Sequence, residues 1–232
     1  MDLDGLVARS GLPDAAAGRL GVLLDRLAVA DAPTSVHEPD RALRVHIADS
    51  LAGLEVPEVR SARVLADLGA GAGLPGLVLA TALPETEVKL VESIGRKCEF
   101  LRATAAAMGL ENVDVVWARA EEWSAGLGRC DVVCARALAA LAVLCEYAAP
   151  LLAEGGVLVA WKGVVDAQEA DDAAAAAAHL GLAPEPVRAV APFPGSERRT
   201  LHVVRKVAPT PSGFPRRPGM ATKRPLTAKK LR

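Results

Sequence analysis

Five short runs rich in β-branched residues recur through this chain, and their spacing restricts the possible folds more than any other feature. They read "VLADLG" from Val64, "VKLVE" from Val88, "VDVVWA" from Val113, "CDVVCA" from Cys130 and "GVLVAWKG" from Gly156. Each is separated from the next by a segment of helix length. Strands alternating with helices specify a parallel sheet covered on both faces, because a parallel pair needs a long crossover and the crossover buries the face it spans. Helices are expected over Leu74–Leu83, Gly95–Gly109, Ala137–Leu152 and Asp166–Leu180. In the last of these, "DDAAAAAAHLG" has high helix propensity and Gly181 supplies a stop. Further on, "PVRAVAPF" and "RTLHVVRKV" flank the turn-like "PGSE", a pattern that predicts an antiparallel hairpin at the sheet edge. Before the sheet, Leu20, Leu23, Leu24 and Leu27 recur at helical spacing, and a second helix is expected near Asp40–Leu54. The expected organisation is a helical cap over residues 1–58, an α/β core over 59–207 and a tail over 208–232.

The first strand runs into Asp67-Leu-Gly69-Ala-Gly71-Ala-Gly73-Leu-Pro-Gly76. So many glycines at the carboxyl end of a parallel strand imply a tight turn that a ligand approaches closely. Gly71, Gly73 and Gly76 match the dinucleotide pattern GxGxxG, while Asp67, Gly69, Gly71 and Gly73 match [D/E]xGxGxG. Nothing resembles the triphosphate loop GxxxxGK[ST]. An acid at position 67 suits a cationic ligand better than a pyrophosphate, which favours a helix N-terminus free of nearby negative charge. Glu92 closes the second strand, where an acid can accept both hydroxyls of a ribose. Ala120 and Glu121 come after the third strand, placed so that their main-chain groups can read a base edge. This succession of strand-end features resembles the class I methyltransferases that use S-adenosylmethionine.

A narrower resemblance lies in "PTSVHEP", "VHIADSL", "DLGAGAGLPGLVLA", "VESIGRKCEFL", "VDVVWARAEEW", "CARALAAL", "LVAWKG" and "ERRTLHVVRK", which run in order through nearly the whole chain. Together they resemble the RsmG, or GidB, family of bacterial small-subunit ribosomal RNA guanine-N7 methyltransferases. The resemblance implies a class I, Rossmann-like methyltransferase fold: a mainly parallel seven-stranded sheet with helices on both faces, plus the N-terminal cap. It implies S-adenosylmethionine as methyl donor. The implied acceptor is N7 of a guanine in the 530 loop of 16S ribosomal RNA, alone or within the small ribosomal subunit. Carried over by motif, Asp67, Gly69, Gly71, Gly73, Leu74, Glu92, Ala120, Glu121 and Arg136 would form the cofactor site. One departure concerns Arg44. The family often has an arginine directly before the histidine of "HIxDS", whereas here Val45 intervenes.

Guanine N7 carries an in-plane lone pair and no proton, so its methylation needs positioning and no general base. His46, Asp49, Ser50, Arg136 and Lys162 are therefore candidates for placing the substrate, with no catalytic base among them and no metal required. Candidate RNA contacts are Arg96, Lys97, Lys162 and, in the tail, Arg216, Arg217, Lys223 and Arg224. The tail is set apart by charge. Residues 205–232 hold nine of the 27 Lys and Arg and none of the 28 Asp and Glu, so residues 1–204 carry a net −10. Such a segment reads as a flexible arm that neutralises phosphate and releases counterions. Cys98, Cys130, Cys134 and Cys145 lack the paired spacing of a zinc site and read as buried, reduced thiols. Trp117, Trp123 and Trp161 read as core or rim packing. With no apolar run of membrane-spanning length and no secretory leader pattern, a cytoplasmic monomer is expected. Two other readings share these residues: an NAD-dependent oxidoreductase on the same architecture, and an RNA-binding assembly factor without activity.

Overall fold

The computed structural model describes residues 1–231. Two helices open the chain, α1 (Leu3–Arg9) and α2 (Ala16–Ala28). Asp2 caps α1 by accepting from the Gly5 N–H at 2.7 Å, which satisfies one of the orphan donors at a helix start. Leu20, Leu23 and Leu27 on α2 are fully buried, whereas Leu24 is only partly covered at the edge of the same core. The expected second helix is a composite. α3 (Pro39–Ala42) passes into a π-helical turn (Leu43–Ala48), then α4 (Asp49–Leu51) and a 3₁₀ turn (Ala52–Glu55). α5 (Pro57–Ser61), begun by a proline at its first turn, leads to the sheet.

The five runs form β1 (Val64–Leu68), β2 (Glu87–Glu92), β3 (Val113–Trp117), β4 (Cys130–Arg136) and β5 (Leu152–Lys162). They alternate with α6 (Gly76–Ala82), α7 (Gly95–Ala107) and α8 (Leu141–Ala148), and α9 (Ala167–His179) comes after β5. Then come β6 (Leu182–Pro184), β7 (Arg188–Val190) and β8 (Arg199–Lys206). The order across the sheet is β3-β2-β1-β4-β5-β8-β6, with β7 also on β8. β1 to β5 are parallel, and β8 is antiparallel to β5. The expected hairpin exists as β7 and β8. The very short β6, which no apolar run announces, brings the sheet to eight strands. α8 begins at Leu141, later than the expected Ala137, because Ala137 takes a left-handed φ of 53° and breaks the helical path.

Cap and sheet share one core. Leu20, Leu23 and Ile47 belong to the same buried cluster as Leu77, Leu101 and Trp161. Gly53 marks how closely the cap approaches: a Cβ there would lie 2.6 Å from Trp161 Cζ2. Gly53→Ala is therefore expected to cost about 1–3 kcal/mol, the range for overpacking a filled core, measurable as a lower urea midpoint at unchanged slope. All four cysteines are buried and free. No helix among the described residues is long and apolar enough to cross a membrane.

The tail departs from expectation. Rather than an arm flexible from residue 208, it packs on the core through α10 (Met220–Lys223) and α11 (Ala228–Leu231). Ala221 is 1% exposed and Leu226 9%, and Phe214 and Leu231 pack on the cluster beneath α8 and α9. The reason is apolar content spread thinly among the charges, without a period that would disclose it.

Candidate active site

Chain order reverses between β1 and β4: β2 and β3 extend the sheet one way, and the chain then returns to lay β4 against β1. At such a switch point the connections diverge and leave a crevice outside the strands' carboxyl ends. The glycine loop after β1 and the Arg136–Ala140 segment after β4 form its two sides.

Within the loop the glycines have different reasons. Gly69 and Gly71 have φ of 66° and 56°, in the left-handed region. A Cβ on Gly71 would meet only the Gly69 carbonyl oxygen, at 3.6 Å, so the backbone there is open to an approaching group. Gly73, whose φ of 91° also favours glycine, and Gly76 are packing glycines: a Cβ on Gly73 would fall 2.3 Å from Leu77 Cδ1, and one on Gly76 would fall 2.3 Å from Leu90 Cδ2. Leu74 is buried beside them. Asp67 lies beneath the loop, 1% exposed, and its Oδ2 accepts from the Gly76 N–H at 2.8 Å at the start of α6. Its Oδ1 has no partner among the described residues.

Glu92 ends β2 with its carboxylate held by main chain. Oε2 accepts from the Gly71 N–H at 3.1 Å, Oε1 accepts from the Ile94 N–H at 2.9 Å, and Lys97 Nζ stands 4.0 Å from Oε2. A cavity of about 90 Å³ opens beside it, lined by Gly69, Ser93, Ala120, Glu121, Leu138 and Tyr147, among others. Gly69, Ala120 and Glu121 thus converge as the sequence implies. Leu138 is an addition; it overlies Gly69, where a Cβ would come within 2.6 Å of its Cδ1. Tyr147 and Ser93 are also additions, carried in by the α8 packing and the β2 end without any motif of their own.

Arg136 ends β4 and reaches into the cap. Its Nη1 donates to Asp49 Oδ2 at 3.0 Å and to the Val45 carbonyl at 3.2 Å, and Nη2 lies 3.4 Å from His46 Nδ1. His46 and Asp49 therefore share one guanidinium. Arg199 Nε stands 3.4 Å from Asp49 Oδ1. That contact is close enough for Coulomb attraction, but Oδ1 receives no directed hydrogen bond among the described residues. Ser50 is fully buried with its hydroxyl unpartnered there, so it faces the protein and not a substrate. Trp161, 5% exposed, donates from Nε1 to the Asp49 carbonyl at 2.8 Å. Lys162 is engaged by Glu169 at 2.7 Å and by the Ala139 carbonyl at 3.2 Å, which ties it to the loop after β4.

Burial, with Arg136 second, pulls the His46 pKa down to about 4, so the ring is neutral near pH 7. Nδ1 then faces the guanidinium as acceptor, and Nε2 can donate to Thr34 Oγ1 at 2.9 Å. Burial pushes Asp67 the other way, up to about 7, against the Gly76 hydrogen bond. The signs oppose. His46 is neutral when folded and protonates near pH 6.5 when unfolded, so its contribution to stability falls as pH drops from 6.5 toward 4. Asp67 keeps its proton when folded up to about 7, so its contribution falls as pH rises from 3.8 toward 7. Asp67→Asn is therefore expected to gain stability relative to the parent by about 2 kcal/mol between pH 5 and 7. Urea unfolding at both pH values measures this, and a pH-independent difference contradicts the titration of Asp67.

The candidate RNA contacts divide. Arg96 is exposed and Lys97 partly so; with Arg26 and Phe100 they line a groove of about 640 Å³. Arg217, Lys223 and Arg224 are exposed on the docked tail. Arg216 is not available to phosphate. Its Nε donates to Glu146 Oε1 at 2.6 Å, with Glu146 only 2% exposed. Trp117 is 66% exposed at the rim, its Nε1 donating to the Ser93 carbonyl at 3.1 Å.

Comparison with known proteins fits this fold. The family model described as rRNA small subunit methyltransferase G (GidB) matches residues 22–197. A ribosomal RNA small subunit methyltransferase G of Rubrobacter xylanophilus is 44% identical over 195 residues, covering 82% of this chain and 75% of that relative. The protein of the same name from Deinococcus radiodurans is 42% identical, covering 82% and 76%. Among solved structures, a SAM-dependent O-methyltransferase from Thermotoga maritima superposes with a TM-score of 0.56 at 15% identity, covering 82% of this chain and 72% of its own. The antibiotic-resistance methyltransferase Kmr gives 0.52 at 22% identity, covering 67% and 93%. These two likenesses concern the fold.

Proposed function

This chain belongs to the rRNA small subunit methyltransferase G (GidB) family, and from that premise we propose that it methylates N7 of a guanine in the 530 loop of 16S ribosomal RNA with S-adenosylmethionine as donor. The coarser activity, methylation of small-subunit ribosomal RNA, is that of the family. The observation that carries the reading is the convergence of Gly69, Ala120 and Glu121 on one cavity beside the fixed Glu92 carboxylate.

The residues suit the donor. Glu92 offers an acid at the end of β2 to a ribose diol, Ala120 and Glu121 offer a base edge its partners, and Gly71 leaves room above its Cα. Asp67 adds a buried acid whose Oδ1 is unpartnered among the described residues. A ligand bearing an ammonium and a sulfonium favours the ionised form of that acid and gains from its charge.

When bound, S-adenosylmethionine supplies an electrophilic methyl group. Guanine N7 is already a lone-pair donor, so the chain has no proton to remove, and His46, neutral and bonded on both sides, is not needed as a base. The work left to the protein is to hold the purine in line, a proximity effect of up to about 7–11 kcal/mol. Positive charge develops on the purine as it is methylated, so acids and carbonyl oxygens near the crevice lower the barrier. Arg136, neutralised by Asp49, is a positioning group more than a free cation. Arg96, Lys97, Arg217, Lys223 and Arg224 would hold phosphates, with Lys162 fixing the loop after β4.

The test is methyl transfer from labelled S-adenosylmethionine to 16S RNA and to small subunits lacking this modification, followed by mass mapping. Label on guanine N7 within the 530 loop is expected. Label on another atom or another loop rejects the finer assignment and leaves the family activity standing.

A further inference from the structure

The docked tail touches the cofactor crevice directly. Gly219, with φ of 77°, donates its N–H to Glu121 Oε1 at 2.8 Å. Thr222 Oγ1 lies 3.1 Å from the Tyr147 hydroxyl. Glu121 and Tyr147 both line the cavity that also takes in Gly69. Nearby, Arg216 grips buried Glu146 through two nitrogens, and its Nη2 donates to the Arg224 carbonyl at 3.0 Å. Farther on, the Ala228 N–H donates to Asp172 Oδ1 at 2.8 Å on α9. These attachments pin residues 214–228 across α8 and α9, with two of them ending on wall residues of the cavity. The segment lies outside the family match, which ends at residue 197.

We propose that the C-terminal segment is an integral wall of the cofactor site, in which Gly219 and Thr222 are positioning residues that fix Glu121 and Tyr147 against the adenosine end of the donor. This rests on the reading that the cavity receives S-adenosylmethionine. The Glu121 carboxylate, free of the tail, would sample several rotamers; the Gly219 N–H selects one. Binding then need not order it, and preorganisation of this kind appears as affinity. Arg216 is the anchor. Its two-pronged grip on a buried carboxylate is the strong form of such a pair, and loss of the arginine leaves that carboxylate uncompensated.

The proposal is tested on the full-length chain with S-adenosylhomocysteine as probe, titrated by calorimetry. Arg216→Glu sets two acids against each other and should lift the segment. It is expected to raise the Kd at least tenfold, and to raise the KM for the donor more than it lowers kcat. Tyr147→Phe and Thr222→Val remove one shared hydrogen bond from opposite ends. Each is expected to weaken binding about threefold, and the double variant no more than the worse single. If Arg216→Glu does not fold, that pair decides alone. Additive effects in the pair, or a Kd within twofold of the parent throughout, overturn the proposal while the functional reading stands. An unaltered chain that does not bind S-adenosylhomocysteine overturns both.

Discussion

Replacing Arg136 by methionine is expected to destabilise the protein by about 3–5 kcal/mol, the cost of leaving one member of a buried ion pair without its partner. Asp49 is 1% exposed, and its Oδ2 is bonded by Arg136 at 3.0 Å. Arg199, itself 41% exposed, approaches Oδ1 off-axis and cannot take over. The variant would also lose the bond to the Val45 carbonyl and the contact with His46, so the cap is released from the carboxyl edge of β4. Urea unfolding measures the loss. The double variant Asp49→Leu/Arg136→Met should recover most of it, because an apolar pair of similar bulk no longer strands a charge. A single-variant loss below about 1 kcal/mol would mean that water reaches Asp49 and that the pair behaves as a surface one.

The largest expected effect on ligand binding comes from Glu92→Ala. Two hydrogen bonds from a ribose to a charged acceptor are worth about 1.5–3 kcal/mol each, so the Kd for S-adenosylhomocysteine should rise at least about a hundredfold. The alanine also frees the Gly71 and Ile94 N–H groups that the carboxylate now holds, which loosens the glycine loop itself. Glu92→Gln separates the two contributions. It keeps one acceptor and the side-chain shape but loses the charge, and an intermediate affinity is expected. A Kd within threefold of the parent in Glu92→Ala would remove Glu92 from the site and, with it, the argument for a nucleoside at this sheet edge.

The sheet is readable in the chain because its strands are rich in β-branched residues and regularly interrupted. β1 to β5 all fall where the runs predict them. β6 is not readable, because three residues carry no periodicity. The convergence of Gly69 with Ala120 and Glu121 is legible for a topological reason: strands of a parallel sheet all end on one side. Tyr147 and Leu138 are not legible. The first is brought in by the angle at which α8 packs, and the second by a single left-handed residue, Ala137, whose type gives no sign of that conformation. The tail misleads for a different reason. Its seven cations outweigh Phe214, Ala221 and Leu226 in any composition count, yet those three residues, the buried carboxylate of Glu146 and the ties to Glu121, Tyr147 and Asp172 determine where it lies.

The π-helical turn at Leu43–Ala48 has a consequence for how this chain can tolerate change. Such a turn holds one residue more than the α-helix around it. Here the Asp49 N–H turns to the Arg44 carbonyl, five residues back, and so leaves the Val45 carbonyl to accept from Arg136 Nη1 at 3.2 Å. A deletion in the turn that restored ordinary winding would leave the flanking helix in phase but return such a carbonyl to the helix ladder, and Arg136 Nη1 would keep only its bond to Asp49. A shortening that regularises the helix is therefore expected to be worse tolerated here than most point substitutions, and the irregularity is part of how the two halves of the molecule find their register.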